Sequence, residues 1–203
     1  MPNFIKINNK IKNFKKTIIV DSDKSISIRS LMFASLASGI SEIKSLLESE
    51  DIFHTISCLK KLGVEIKKKK NKYIINGVGI NNFNYRKKII LNAGNSGTLA
   101  RLINSILIKS PNKIKIVGDK SLSKRDFQRI INPLSKFGAK FYPKNRKTLP
   151  LSIKKFSDIK SKNFIENKGS AQVKSAIMLA ALNFESETYI KAKKSRNHTE
   201  NFF

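Results

Sequence analysis

The chain has 203 residues, enough for one large domain or two small ones with a sizeable core. Its residues are 40% hydrophobic and their spacing is periodic almost throughout, which excludes a disordered chain. The single cysteine, Cys58, excludes an intrachain disulfide, and the longest apolar stretches are too short to span a bilayer. We therefore expect a cytoplasmic protein without a secretory signal or a membrane segment.

The formal net charge is +27, from 41 basic and 14 acidic residues. A charge of this size suggests a polyanionic partner. The lysines are spread evenly along the chain, however, and do not form one basic arm or alternate with aromatic residues, as nucleic-acid-binding segments often do. We expect nucleic acid not to be the main partner and small anions to be favoured, while a non-catalytic basic binding module stays open as an alternative.

The first part of the chain alternates strands and helices, which predicts an α/β or α+β fold. Strands are predicted at residues 4–7 and 17–20, followed by a helix over 25–38 and a strand over 41–46. A second helix is predicted over 50–62, with Glu50 and Asp51 in its first turn, where the helix dipole favours acidic side chains. Gly63 ends this helix, and two strands over 64–68 and 72–75 follow.

The same order then repeats at an interval of roughly 70 residues. A strand over 88–91, a helix over 96–108, a strand over 113–117, a helix over 126–137 and strands over 139–142 and 150–153 form the second round. A third round has a strand at 164–165, a helix over 170–182, a strand over 188–191 and the start of a helix at 197–200. The repeat predicts three βαβαββ units, at about 21–80, 81–155 and 156–203, and an incomplete third unit predicts that the chain is part of a longer protein.

The first helix of each predicted unit begins with residues that can bind an anion. The unpaired N–H groups and the dipole at a helix start attract negative charge. The three starts carry Lys24, Ser25 and Arg29; then Asn95, Ser96 and Thr98; then Ser170 and Gln172. Serine and asparagine are also common N-caps, so one such start has a purely structural explanation. Three starts aimed at one end of the domain would form a surface for a substrate with phosphate and carboxylate groups.

These motifs resemble the N-terminal half of the 5-enolpyruvylshikimate-3-phosphate (EPSP) synthase family, the 3-phosphoshikimate 1-carboxyvinyltransferases. The matching segments are 23–29, 94–98 with Arg101, 118–125, 170–176 and 195–200, which cover nearly the whole chain in the family's order. The resemblance implies an enolpyruvyl transferase fold of two domains, with residues 1–20 belonging to the other domain or the hinge. It also implies transfer of the enolpyruvyl group of phosphoenolpyruvate to the 5-hydroxyl of shikimate 3-phosphate, without metal or cofactor, in a protein that is monomeric when complete.

The resemblance also implies roles for individual residues. The residues expected to bind shikimate 3-phosphate are Lys24, Ser25, Arg29, Ser170, Ala171, Gln172, Ser195 and Arg196. The residues expected to bind phosphoenolpyruvate are Lys24, Asn95, Gly97, Arg125 and Gln172. Gly97 is expected to leave room for the inhibitor glyphosate, and Arg101 is expected to have a structural role that ties its helix to a strand.

The resemblance supplies no acid or base for catalysis in this chain. Proton transfers to phosphoenolpyruvate and from the 5-hydroxyl need positioned groups, which in the family come from the C-terminal domain. The acidic residues Asp51, Asp119 and Asp126 are better explained by helix-start or turn roles, and His54 by packing. We therefore expect the 203-residue chain to be inactive alone.

Two further observations bear on this interpretation. Asp126 follows Arg125 where the family usually has proline, and could pair with Arg125. The related UDP-N-acetylglucosamine enolpyruvyl transferases are an alternative family, but they carry a cysteine in a mobile loop, whereas Cys58 lies inside a predicted helix.

Overall fold

The computed structural model of the protein describes residues 22–143, 147–157 and 163–203. The strands predicted at 4–7 and 17–20 lie outside these residues. The described part contains five α-helices: α1 Lys24–Leu36, α2 Glu50–Lys61, α3 Gly97–Ile106, α4 Gln128–Lys136 and α5 Ala171–Ala181. Short 3₁₀ helices lie at Leu107–Lys109, Leu122–Lys124 and Glu200–Phe202.

Nine strands accompany these helices in the described residues: β1 Ser38–Lys44, β2 Glu65–Lys69, β3 Lys72–Val78, β4 Ile90–Asn92, β5 Ile114–Val117, β6 Ala139–Tyr142, β7 Leu151–Lys155, β8 Asn163–Glu166 and β9 Tyr189–Ala192. They form three sheets, with the orders β1-β3-β2, β4-β5-β7-β6 and β8-β9. β3 is antiparallel to both of its neighbours, and so is β7. β4 pairs parallel with β5, and β8 pairs parallel with β9.

The sheets repeat one arrangement. The order β1-β3-β2 in the first sheet corresponds to β5-β7-β6 in the second, and the parallel pair β4-β5 corresponds to β8-β9 in the third. This mixed α+β architecture confirms the predicted fold class of repeated strand–helix units. The predicted boundaries of the three units stay a prediction, as does the assignment of residues 1–20.

Burial divides the helices into two kinds. α1, α3 and α5, which start each round, bury most of their residues, and in α3 nine of the ten residues are buried, with Arg101 as the exception. α2 and α4 bury one face only, through Ile52 and Leu59 in α2 and through Ile130 and Leu134 in α4. Their amphipathic pattern is typical of helices that cover a core from outside. The core therefore lies around three inner helices, whose starts carry the candidate motifs.

The largest error of the sequence prediction concerns β1, which was expected at 41–46 and lies at Ser38–Lys44. Its first three residues are exposed, so no alternation of apolar residues marks the start of the strand. The strand is defined instead by its pairing with β3, in which Ser38 lies opposite Val78. β3 extends to Val78, three residues beyond the prediction, for the same reason.

Candidate functional site

Each inner helix begins with a side-chain cap that satisfies one of its own N–H groups. The Asp23 Oδ1 accepts from the N–H of Ile26 at 2.7 Å, and the Ser96 and Ser170 Oγ atoms accept from Leu99 and Val173 at 3.4 Å. The hydroxyl oxygens of Ser96 and Ser170 therefore act as N-caps, which is the structural role predicted for these two residues. Any ligand would use other groups near the same helix starts.

Asn95 and Arg125 form a hydrogen-bonded group just before α3. Arg125 Nη2 donates to Asn95 Oδ1 at 2.8 Å, and Asn95 Nδ2 donates to Asp119 Oδ2 at 2.7 Å. The other oxygen of Asp119 accepts from the N–H of Leu122 at 2.6 Å and so begins the 3₁₀ helix that leads to Arg125. Asp119 thus fixes both residues, and it has the turn role that the sequence predicts.

Gly97 lies between two guanidinium groups. A β-carbon at this position would lie 2.9 Å from Arg125 Nη1 and 3.3 Å from Arg101 Nη1. Glycine therefore allows the two cations to approach the start of α3 closely. Such a pair of cations beside free helix N–H groups favours an anionic ligand.

Arg101 connects the starts of α3, α4 and α5. Its Nη1 donates to Gln172 Oε1 at 2.8 Å, and its Nη2 lies 3.4 Å from the carbonyl oxygen of Asp126. Gln172 Nε2 in turn donates to Thr98 Oγ1 at 3.0 Å. The prediction that Arg101 ties its helix to a strand is wrong, because its hydrogen bonds go to the starts of α4 and α5.

The possible pairing of Asp126 with Arg125 does not occur among the described residues. Asp126 Oδ1 accepts from the N–H of Gln128 at 2.6 Å and supports the start of α4. No ion pair of Asp126 is formed within the described ranges, so the Arg125 guanidinium keeps its charge uncompensated by this neighbour.

Lys24 contacts α2, and α2 in turn contacts the loop that carries Asn95. Its Nζ lies 2.9 Å from Asp51 Oδ2, and 52% of its side chain remains exposed. One turn further along α2, His54 packs against Gly94, and its Nδ1 lies 3.1 Å from the carbonyl oxygen of Asn92. Asp51 and His54 are three residues apart and lie on one face of α2, so this helix connects Lys24 to the loop that carries Asn95.

Arg29 is only 2% exposed, and its hydrogen bonds go to other parts of the protein. Its Nε donates to Thr199 Oγ1 at 2.7 Å, its Nη2 to Ser175 Oγ at 2.9 Å and its Nη1 to the Ser25 carbonyl oxygen at 3.0 Å. Burial lowers the pKa of Arg29, and the nearby Arg196 lowers it further, against the opposing effects of Asp23 and Glu200. Arg29 therefore connects α1 to α5 and to the C-terminal segment. Its predicted contact with shikimate 3-phosphate stays a prediction.

The remaining predicted residues lie where α5 meets the C-terminal segment. A β-carbon at Gly169 would lie 3.2 Å from the carbonyl oxygen of Lys194, so the start of α5 adjoins Ser195 and Arg196. The Ser195 hydroxyl is buried and has no hydrogen-bond partner among the described residues. The Ala171 carbonyl oxygen accepts from Ser175 Oγ at 2.6 Å, and Lys174 forms an ion pair with Glu200.

Contacts therefore connect most of the predicted residues into one region. They run from Lys24 through α2 to Asn95 and Arg125, and across Gly97 and Arg101 to Gln172. Three partner residues were not predicted: Ser175 and Thr199, which accept from Arg29, and Glu200, which pairs with Lys174. All three lie in the segments that resemble the family. Among the described residues, no group of three or more His, Cys, Asp or Glu side chains could hold a metal ion, and no helix there has the length and hydropathy to cross a bilayer.

Comparisons with known proteins agree with this architecture. The family model for EPSP synthase (3-phosphoshikimate 1-carboxyvinyltransferase) matches residues 8–203. A 3-phosphoshikimate 1-carboxyvinyltransferase of Vesicomyosocius okutanii is 43% identical over 183 residues, which cover 89% of this chain and 41% of that protein. One from Lactococcus lactis subsp. lactis is 40% identical over 198 residues, covering 97% of this chain and 45% of that protein.

Solved structures show the same relation. An EPSP synthase from Acinetobacter baumannii superposes with a TM-score of 0.80 at 36% identity, over 90% of this chain and 42% of that one. The chain thus spans somewhat less than half the length of the relatives it matches. The fold defines the class of the protein, which is that of the enolpyruvyl transferases. Within this class, the chain belongs to the EPSP synthase family.

Proposed function

We propose that this chain supplies part of the active site of a 3-phosphoshikimate 1-carboxyvinyltransferase. That reaction joins the enolpyruvyl group of phosphoenolpyruvate to the 5-hydroxyl of shikimate 3-phosphate and releases phosphate, on the route to chorismate and aromatic amino acids. The observation that carries the proposal is the cluster of Asn95, Arg125, Arg101 and Gln172 around Gly97, in a chain of this family. The family match favours this proposal over the UDP-N-acetylglucosamine enolpyruvyl transferase alternative.

In this proposal phosphoenolpyruvate lies near Gly97. Arg125 and Lys24 supply positive charge, while Asn95 and Gln172 supply side-chain amides that can orient the carboxylate and the phosphate. Fixing these groups beforehand lowers the entropic part of the barrier, and cations near the reacting carbon stabilise charge that develops in the intermediate. The proton transfers need groups beyond those that we assign in this chain, so its own contribution is binding and orientation.

Shikimate 3-phosphate lies, in the same proposal, between the start of α1 and the start of α5. The buried Ser195 hydroxyl supports this placement, because a buried hydroxyl without a partner is costly and a phosphate oxygen would satisfy it. Ser170, Ala171 and Gln172 offer groups at the α5 start, and Ser25 and Arg196 lie near Arg29. We assign Arg29 itself mainly to positioning Ser25, whose carbonyl oxygen it binds.

The test is a titration of the purified 203-residue chain with shikimate 3-phosphate, followed by thermal unfolding and calorimetry. We expect saturable binding and a higher unfolding temperature, with no detectable product when phosphoenolpyruvate is added. Ser195→Ala should weaken binding about tenfold, because it removes one hydrogen bond to a charged group. Ser41→Ala, on β1 and outside the cluster, is the matched control. Binding that is absent, or equal in both variants, would contradict the proposed placement, and turnover by the chain alone would contradict the partial site.

A further inference from the structure

A cavity adjoins the region described above and is lined by two arginines, one of which, Arg129, has no assigned role. It has a volume of about 310 Å³ and lies between the starts of α3, α4 and α5. Its lining residues are Arg101, Asp126, Arg129, Ser170, Gln172 and Val173. Arg101 has a structural role above, but Arg129 has none, either from the family resemblance or from its contacts.

The cavity carries an excess of positive charge. Burial lowers the pKa of Arg101, and the nearby Arg125 and Arg129 lower it further, with Asp126 opposing them. Asp126 is the acidic residue in the cavity lining, and one of its oxygens already accepts the N–H of Gln128 at 2.6 Å. Two guanidinium groups therefore line the cavity together with one carboxylate, and one oxygen of this carboxylate already accepts a hydrogen bond.

The cavity also has more hydrogen-bond donors than acceptors. Arg101 uses Nη1 on Gln172 and Nη2 on Asp126, which leaves Nε and further N–H groups unused by these bonds. In the part of the chain that the structure describes, the Arg129 side chain makes no hydrogen bond or ion pair. Gln172 gives its oxygen to Arg101 and its amide N–H to Thr98, so its strongest acceptor is also occupied.

We propose that this cavity is a second anion subsite, which binds a phosphate or a similar tetrahedral oxyanion between Arg129 and Arg101. An oxyanion supplies the acceptors that the lining lacks and balances both cations, and guanidinium groups match its geometry through paired N–H groups. The subsite differs from the Arg125–Asn95 group, which adjoins Gly97 and does not line this cavity. It shares Ser170 and Gln172 with the proposed substrate site, and Arg129 is the residue that distinguishes it. The inference about this subsite does not depend on the proposed reaction, because binding of a simple oxyanion can be measured without either substrate.

The experiment is a titration of the 203-residue chain with inorganic phosphate at constant ionic strength, read by calorimetry and by ¹H–¹⁵N NMR spectra. We expect Arg129→Gln to weaken phosphate binding about tenfold, because it removes a charge-assisted pair of hydrogen bonds. Arg86→Gln should change it less than twofold. Arg86 is exposed on the segment between β3 and β4 and carries the same charge change.

The NMR spectra of the unaltered chain provide a readout that does not depend on how a variant folds. Phosphate should shift the Nε–H signals of Arg129 and Arg101 and the amide signals from Ser170 to Val173, with one saturation curve. Shifts confined to Asn95, Gly97 and Arg125, or to Ser195 and Arg196, would overturn the subsite and leave the proposed function intact. Shifts that do not saturate, or equal phosphate affinity in Arg129→Gln, would also overturn it.

Discussion

Arginine side chains at the helix starts occupy two different environments in this protein. Arg125 is exposed and orients Asn95, whereas Arg29 is buried among the hydroxyl groups of Ser175 and Thr199. Both follow a helix-start motif, so the sequence predicts an anion-binding role for both. The partners of Arg29 lie 146 and 170 residues further along the chain, and no local pattern reveals them.

Cys58 is a residue whose ionisation is strongly affected by burial. It is 1% exposed, and burial raises the pKa of its thiol from the ordinary 9.0 to about 12, against a smaller opposite effect of Lys61. Between these values the unfolded thiol loses its proton and the folded thiol keeps it. Stability from this group is therefore complete below pH 9 and decreases as the pH rises further, by up to about 1.4 kcal/mol per pH unit.

We expect the unfolding free energy of the unaltered chain to decrease by about 2 kcal/mol more than that of Cys58→Ala between pH 8 and pH 10.5. Urea denaturation at both pH values measures this difference, because the variant removes the thiol and keeps the other titrating groups. The native thiol should also resist alkylation at pH 8 until urea unfolds the chain. Parallel losses of stability in the two proteins would show that the thiol ionises freely in the folded state.

At the scale of single elements, the sequence predicts the inner helices well and the ends of two paired strands poorly. The predicted helices over 25–38, 96–108 and 170–182 correspond to α1, α3 and α5, because caps and apolar periodicity are local signals. β1 begins three residues before its predicted start and β3 ends three residues after its predicted end, because pairing between the two strands decides where they begin and end. The last part of the helix predicted over 96–108 is a 3₁₀ turn at Leu107–Lys109, which the same periodicity does not distinguish from α-helix.

β3 passes so close to the end of α1 that only glycine fits at position 77. A β-carbon there would lie 2.2 Å from the Ala37 carbonyl oxygen and 2.3 Å from that of Ala34. Both neighbours are backbone atoms, so relief requires the strand or the helix to move. We expect Gly77→Ala to lower the unfolding free energy by about 3 kcal/mol, measured by urea denaturation.

Gly39 is the matched control for this substitution. It lies opposite Gly77 in β1, has a φ of +95° and has no atoms within 4 Å of an added β-carbon. Gly39→Ala therefore introduces an unfavourable backbone conformation without a steric clash. We expect it to lower the unfolding free energy by about 1 kcal/mol. Equal costs for the two substitutions would mean that close packing of β3 on α1 does not explain Gly77.

At the scale of the whole molecule, the important contacts join different rounds of the repeat. Arg101 to Gln172 joins the second round to the third, Arg29 to Thr199 joins the first to the third, and His54 to Gly94 joins the first to the second. The sequence predicts that the helix starts converge, since equivalent elements of a repeat have equivalent positions. It does not predict these pairings, because each depends on side chains far apart in the chain.

The Arg29 contacts make a testable contribution to the stability of the whole fold. We expect Arg29→Lys to lower the unfolding free energy by about 2 kcal/mol, because lysine keeps the charge but cannot reach Ser25, Ser175 and Thr199 together. Arg86→Lys, at an exposed position, should change it by less than about 0.5 kcal/mol. Urea denaturation of both variants compares them, and an unchanged Arg29→Lys protein would mean that these bonds do not stabilise the fold.

The pairing of Arg29 with Thr199 also has a consequence for biosynthesis. A ribosome adds about 5–20 residues per second, so the hydroxyl partner is made on the order of 10–30 s after the arginine. During that interval the nascent first helix has to keep its guanidinium group hydrated. The hydrogen bond between Arg29 and Thr199 can therefore form only after the residues around Thr199 have left the exit tunnel.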